Sequence, residues 1–489
     1  MSDNALDAMP RIIPEKEYDL TLKAGVEQRA QALLAFLKDH YSGERSYAKK
    51  GIIPANLVSK IIKRNKEQAY EGLIPPEQIR FMYGPDIIRD KTGTWRVIED
   101  NVGFLGGLGD LRLAQKHMEQ KNSRLTSSIR YRSSENFYSQ LSEQFKAQAK
   151  NYGGKAVLYM TPPYSDYEDR RLKAIMADYG IETVSTYSNL QFKINDQGVF
   201  LYDRTLDKPE FEKVGFLFLN GEHTWLDPSH TASYEKLVLE EAQDHLSNTR
   251  LKKSIRQELL NEIKLEPHDF KKINSILNKS NLLNSVTGIM KKSKHFHGLT
   301  EAILNGKVGA NYSPGIDFVG DKEFYLYVEK LIKYYLNKTP ILKNIPTQKF
   351  SHGASNLLNK KIFAKVFRNL KGYVIKPVDG RGGDDVFVGP KVSKIERQTI
   401  MTMIKEKPSQ FISQTYKEIS RLNDLIVDMR LFAYVTNQKN ILVADTSWGR
   451  GLPANGNGKV NLSDKGREIT VLVRESSTKS MCKMLFLSH

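Results

Sequence analysis

The sequence predicts a mixed α/β chain of α+β layers, and three observations predict it. Residues 155–225 run strand, helix, strand. Residues 81–101 hold two short β-rich runs split by a turn. From residue 372 the pattern becomes strand-dominated, with one helix interposed. A chain of 489 residues has enough apolar mass for real cores and suggests two to four domains.

Taken in order, residues 1–80 read as a helical N-terminal region. Within it EQRAQALLAFLKDHY carries apolar residues at three- and four-residue spacing, and Pro75-Pro76 ends the region. PDIIRD and TWRVIEDN then form a hairpin around the turn Asp90-Lys91-Thr92-Gly93. GFLGGLGDLR is a glycine-rich loop leading into the helical LRLAQKHMEQ. KAVLYMTP is an apolar strand, DYEDRRLKAIMADYG a helix with a glycine stop, and IETVSTY and VGFLFLN are further strands. This order implies a parallel sheet with a right-handed crossover. Residues 231–300 read as a Lys-rich helical insertion without chemistry. FYLYVEKLIKYYL is an amphipathic helix, and GYVIKPVD, DDVFVGP, FISQTY, MRLFAYV and NILVADT are strands, with the helix SKIERQTIMTMIKEKP between the second and third.

Composition narrows the function classes. No run of about eighteen apolar residues predicts a membrane span. The start lacks a basic segment followed by an apolar one, so no secretory signal is expected. The single cysteine, Cys482, can form no internal disulfide, and a reducing cytoplasm fits it. Lys+Arg number 74 and Asp+Glu 56, a formal charge of +18, which raises a nucleic-acid reading. No zinc-finger spacing, aromatic RNA-binding pattern or basic region with heptads accompanies it. A solvated lysine surface, or a field attracting an anionic small molecule, is the preferred reading.

Two segments carry chemistry. In Gly372–Gly389 a buried strand delivers Lys376, and a turn with Gly380, Gly382 and Gly383 follows before a second strand. Small residues let backbone N–H groups approach a phosphate, and Lys376 supplies a point charge for it. The same pattern also reads as a plain hairpin turn. In the other segment, Asp86 and Glu99 lie on the two hairpin strands, and alternation puts Glu99 and Asn101 on one face. Carboxylate and amide oxygens suit a hard cation such as Mg²⁺; the bland alternative is an acidic strand end at the surface.

Together, a Val-Ile-Lys-Pro strand with a glycine-rich loop and an Asp followed thirteen residues later by Glu-x-Asn resemble the ATP-grasp ligases. The Glu-x-Asn comes first here and the glycine loop last, so the chain resembles the circularly permuted ATP-grasp family, whose relatives include glutathionylspermidine synthase-like proteins. NGKVGANYSPGIDFVGDKEFYLYVEKLIKYYL, PSQFISQTYKEIS and VDMRLFAYV are similar to further segments of that family.

The resemblance implies the permuted ATP-grasp fold: a metal-binding part over 81–125, a parallel α/β domain of the pre-ATP-grasp kind over 150–230, and nucleotide-binding subdomains over 301–489. It implies that Lys376 and Lys322 grip the phosphates of ATP under a lid formed by Gly380, Gly382 and Gly383. Gln414, Thr415 and Tyr416 border the adenine. Asp86, Glu99 and Asn101 hold Mg²⁺ or Mn²⁺, and Arg430 and Arg450 stabilise charge on the transferred phosphoryl group. Arg offers phosphate a fixed fork of donors, although either arginine also reads as half of a surface ion pair. The implied partners are small-molecule or peptide carboxylate and amine substrates, joined as an amide through an acylphosphate. An ATP-binding protein or a kinase on the same fold is the alternative. The family's Pro-Ser-Gly after Glu-Asp-Asn is replaced by Val102-Gly-Phe-Leu-Gly-Gly, and its acidic-Asn-Arg by Asp110-Leu111-Arg112. These positions are implied to face the acceptor. Glu168, Asp169 and Arg170 could contact a substrate but read as a solvated helix face.

Overall fold

The computed structural model describes residues 6–65, 72–160, 167–185, 189–220, 298–378, 385–436, 441–459 and 466–476. Two expected features lie outside these residues: the glycines 380, 382 and 383, and all but the end of the insertion at 231–300.

Among the described residues, strands and helices alternate through four sheets, a mixed α/β architecture. The largest sheet runs, by strand, Leu6–Pro14, Arg467–Arg474, Ser447–Pro453, Leu425–Arg430, Asp86–Arg89, Trp95–Glu99 and Lys343–Asn344, with Arg421–Leu422 paired to Leu425–Arg430. The expected hairpin supplies its fifth and sixth strands, beside the central Leu425–Arg430. Asp86 pairs with Glu99 and Arg89 with Trp95, antiparallel, with an irregularity beside Asp86. The turn is held by Asp90, whose carboxylate accepts from the backbone N–H groups of Thr92 and Thr94, as Asp does in tight turns.

Residues 6–14 are a strand, where the sequence pattern suggested only helix. The strand Leu6–Pro14 pairs in parallel with Arg467–Arg474 at the sheet's edge. Pro10 and Pro14 obscured it, yet an edge is where a strand tolerates proline. Helix follows: Ala24–Tyr41 buries Val26, Leu33, Phe36 and Leu37 at 0% exposure.

The α/β unit places Lys155–Met160 in parallel between Glu182–Ser185 and Glu212–Asn220. The sheet is mixed rather than purely parallel, because the hairpin Leu190–Asn195/Gly198–Asp203 adds antiparallel strands. A four-stranded sheet holds Thr347–Lys349, Phe411–Thr415, Tyr373–Pro377 and Phe387–Val388 in that order. Its own core packs Phe350, Val366, Ile375, Ile400 and Ile404, beneath helices Lys360–Arg368 and Lys394–Glu406.

One expected strand divides. MRLFAYV ends one strand at Arg430 and begins another at Ala433, and the two belong to different sheets. Leu431 and Phe432, both fully buried, carry the chain between them. The second strand, Ala433–Val435, pairs with Phe81–Tyr83 and Leu442–Val443. Among the described residues no helix is long and apolar enough to cross a membrane.

Candidate active site

The eight-stranded and four-stranded sheets face one another across a cavity of about 440 Å³, a size usual for small-molecule sites. Asp86, Glu99, Asn101, Lys322, Lys376, Gln414, Thr415, Tyr416, Arg430 and Arg450 all line it. These are all the expected site residues that the structure describes. The two chemical segments, with Asn101 and Lys376 275 residues apart in sequence, therefore share one cleft.

Strand geometry explains which side chains arrive there. Lys376 lies on Tyr373–Pro377, is buried, and donates through Nζ to the Ile98 carbonyl at 3.3 Å. Gln414, on the neighbouring strand, donates to the same carbonyl at 3.1 Å. Burial pushes the Lys376 ammonium below its usual range; Glu99 opposes the shift and Lys322 reinforces it. Lys322 pairs with Glu99 at 2.9 Å, and its backbone N–H donates to Val378 at 3.2 Å. The amides of Thr415 and Tyr416 are committed to the carbonyls of Pro346 and Gly372, which leaves carbonyls and side chains at these two positions to meet a ligand. Ile88, Ile98, Ile345, Val374, Val378 and Val388 add apolar wall that suits an aromatic base.

Arg430 is buried and the Arg450 side chain is only 13% exposed, so neither is a surface ion pair. Arg430 holds Asp86 with two bonds, at 2.8 and 3.0 Å, and also donates to the Gly106 carbonyl. Arg450 reaches Asp86 at 3.0 Å and Asp428 at 3.0 and 2.7 Å. Burial alone would raise the Asp86 carboxyl, but Arg430 and Arg450 outweigh it and hold it well below the usual range. Asp428 goes the other way. Burial pushes it up to about 6, Arg450 opposes and Asp86 adds repulsion. Asp428 was not singled out in the sequence, although Asp-Met-Arg alternation puts it on the face of Arg430.

Both arginines lie against Trp448, their guanidinium carbons 5.9 and 5.4 Å from its ring centroid. The loop at 103–109 closes over the same tryptophan. Gly107 has φ +94°, and a Cβ there would stand 2.2 Å from the indole. Glu168 accepts the N–H groups of Gly107 and Gly109 at 2.6 and 3.3 Å, and Asp169 accepts from Asn220 at 2.7 Å. The solvated-face reading therefore fails for Glu168 and Asp169; Arg170 is exposed.

Among the described residues no group of three or more His, Cys, Asp or Glu side chains could hold a metal by itself. The donor set nevertheless fits Mg²⁺ carried by a nucleotide, which takes one or two carboxylates beside phosphate oxygens. Asp86 and Glu99 would supply the carboxylates. Asn101 commits its side-chain nitrogen to the Gly84 carbonyl at 3.1 Å, leaving its oxygen for a ligand.

This pair of sheets with a polar cleft between them has a known counterpart. The chain matches the model of the family described as circularly permuted ATP-grasp type 2 over residues 10–233 and 277–450, and it belongs to that family. An uncharacterized protein of Mycobacterium tuberculosis is 25% identical over 473 residues, which span 94% of this chain and 72% of the relative. One from Synechocystis is 25% identical over 482 residues, 97% of this chain and 85% of its own. A Frankia casuarinae protein named "Putative glutamate--cysteine ligase 2-2" is 24% identical over 453 residues, 90% of this chain and 44% of that protein. A solved glutathione synthetase-like effector of Globodera pallida, in its apo form, shares the fold with a TM-score of 0.50 at 12% identity, covering 96% of this chain and 90% of its own.

Proposed function

We propose that the protein is an ATP-dependent, ADP-forming ligase that joins a carboxylate to an amine. The supporting observation is the convergence of Lys376, Lys322, the Asp86–Glu99–Asn101 set and two arginines on one cavity; family membership implies ATP binding. In this reading Lys376 and Lys322 grip the phosphates, and Gln414, Thr415 and Tyr416 border the base. Asp86, Glu99 and Asn101 would hold Mg²⁺, which when bound neutralises charge between phosphate oxygens. A substrate carboxylate attacks the γ-phosphorus, giving an acylphosphate and ADP. An amine then displaces phosphate and forms the amide. In this reading Arg430 and Arg450, whose Nε and Nη2 groups hold Asp86 and Asp428, lend preorganised positive charge beside the moving phosphoryl group.

ADP release by the full chain, screened over amino acids and polyamines, tests the reading. Glutamate and cysteine come first because of the Frankia relative's name. Release is expected to require both a carboxylate and an amine, with an amide detected by mass spectrometry. Glu99→Ala is expected to lower it at least about 100-fold without moving the unfolding midpoint by more than a few degrees. Undiminished release from Glu99→Ala would refute the assignment, and a phosphorylated product without an amide would make the protein a kinase.

A further inference from the structure

Strand alternation sets up a clamp behind the cavity. Glu99 and Asn101 line the cavity, so Asp100 between them turns the other way, where it is 1% exposed. There it meets Arg29 from the helix Ala24–Tyr41, itself 0% exposed. Arg29 holds both Asp100 oxygens, at 3.1 and 2.6 Å, and donates to Asn344 at 2.8 Å and the Leu342 carbonyl at 3.3 Å. The Tyr83 hydroxyl donates to Asp100 at 2.6 Å.

A matching arrangement surrounds Lys322. Its side chain reaches Glu99, whereas Asp321 and Glu323 on either side meet Arg64, at the end of the helix Ala55–Arg64. Arg64 binds Asp321 at 2.7 and 3.0 Å and Glu323 at 3.1 Å. Both carboxylates are wholly buried. Lys349 also pairs with Glu323. The ion pair Glu99–Lys322, where metal and phosphate ligands would meet, is thus braced from behind on each side by one arginine of the N-terminal helices.

We propose that Arg29 and Arg64 are positioning residues, which fix the segments 99–101 and 321–323 so that Glu99, Asn101 and Lys322 face the cavity in register. The proposal rests on the ATP-ligase reading. It gives the N-terminal helices a part in the site. A forked guanidinium is needed at each place because each grips two or more acceptors in fixed directions, which a lysine ammonium cannot do. Without these arginines the buried Asp100 and Asp321 would lose their ion-pair partners, while Glu323 would keep Lys349 and Lys60.

Binding of ATP, measured by calorimetry with and without Mg²⁺, and binding of Mn²⁺ beside ATP, measured by electron paramagnetic resonance, test this in the full chain. Arg64→Lys is expected to weaken ATP binding about tenfold or more whether or not Mg²⁺ is present, because it loosens Lys322. Arg29→Lys is expected to leave metal-free ATP binding close to wild type and weaken Mn²⁺ binding by about 10–100-fold, as loss of an outer-shell support does. Arg80→Lys serves as a fold control. Arg80 is buried among Gln78, Gln148 and Tyr152 outside the cavity, so its loss is expected to lower the unfolding midpoint and leave both affinities unchanged. Where either arginine variant does not fold, Asp100→Asn or Glu323→Gln, which keep side-chain shape, takes its place with the same expectation. Wild-type affinities in the Arg29 and Arg64 variants, beside a wild-type protein that binds Mg²⁺ and ATP, would overturn the clamp. A wild-type protein that binds no ATP would instead overturn the ligase reading, and the clamp with it.

Discussion

Glu468 stands behind the arginine pair, outside the lining of the cavity. It is 1% exposed, accepts from the Trp448 indole at 3.4 Å and lies 3.8 Å from Arg171; Trp448 is the surface on which Arg430 and Arg450 rest. Burial, with repulsion from Asp110, pushes the Glu468 carboxyl up to about 7 against the attraction of Arg171. A carboxyl raised on folding is favourable while protonated, so its contribution is full below the unfolded value near 4.5 and is lost as pH climbs through about 7. The span corresponds to roughly 3 kcal/mol. Glu468→Gln keeps the acceptor for Trp448 and removes the charge. Its unfolding free energy, from urea titration, is expected to exceed wild type by about 1–3 kcal/mol at pH 8 and to match it within roughly 0.3 kcal/mol at pH 4. A gain of the same size at both pH values would mean that charge is not the cause. At this scale the sequence was legible where alternation shows it: Glu99 and Asn101 share a face at a spacing of two. Arg29 was not legible, because helix Ala24–Tyr41 is recognised by its apolar spacing and nothing local says that a lysine or arginine on it is buried. Its partners Asp100 and Asn344 are 71 and 315 positions away.

Many elements with local signals were read correctly, but the hairpin Leu190–Asn195/Gly198–Asp203, whose turn is also local, was not, and elements defined by long-range partners were missed. The 86–99 hairpin carries its turn residues with it, and the Tyr373–Pro377 strand carries its apolar run. The strand Leu6–Pro14 exists only because Arg467–Arg474 lies beside it, and the break between Arg430 and Ala433 reflects a change of sheet that no local pattern encodes. The loop at 103–109 is an intermediate case. Its glycines announced a loop, but the reason for Gly107 is tertiary: it accepts a left-handed φ and leaves room for Trp448. Gly107→Ala places a methyl 2.2 Å from the indole and strains the backbone. The expected cost is about 2–4 kcal/mol in urea unfolding. Because the displaced Trp448 carries both arginines, ADP release is expected to fall more steeply than the folded fraction. Equal falls would mean that the loop contributes stability alone.

The permuted order matters for the whole molecule because no contiguous stretch contains the cleft. Residues 86–101, 322, 374–378, 414–417 and 428–450 reach it from both ends of the chain and from two sheets. Few described bonds join those sheets directly: the side chains of Lys376 and Gln414 both reach the Ile98 carbonyl. A ligand spanning the gap therefore adds contacts where the protein itself has few. Binding to the folded state alone stabilises by about 2.7 kcal/mol at a ligand concentration of 100 Kd, and that free energy is shared between both walls. With Mg²⁺ and ATP at such concentrations, hydrogen exchange is expected to slow together in Trp95–Glu99, Tyr373–Pro377, Phe411–Thr415 and Leu425–Arg430, while Lys155–Met160 and Glu212–Asn220 in the separate α/β sheet remain unchanged. Protection confined to Tyr373–Pro377 and Phe411–Thr415 would mean that nucleotide docks on the four-stranded sheet alone. The acidic hairpin would then have no part in holding it, and Asp86, Glu99 and Asn101 would need another role.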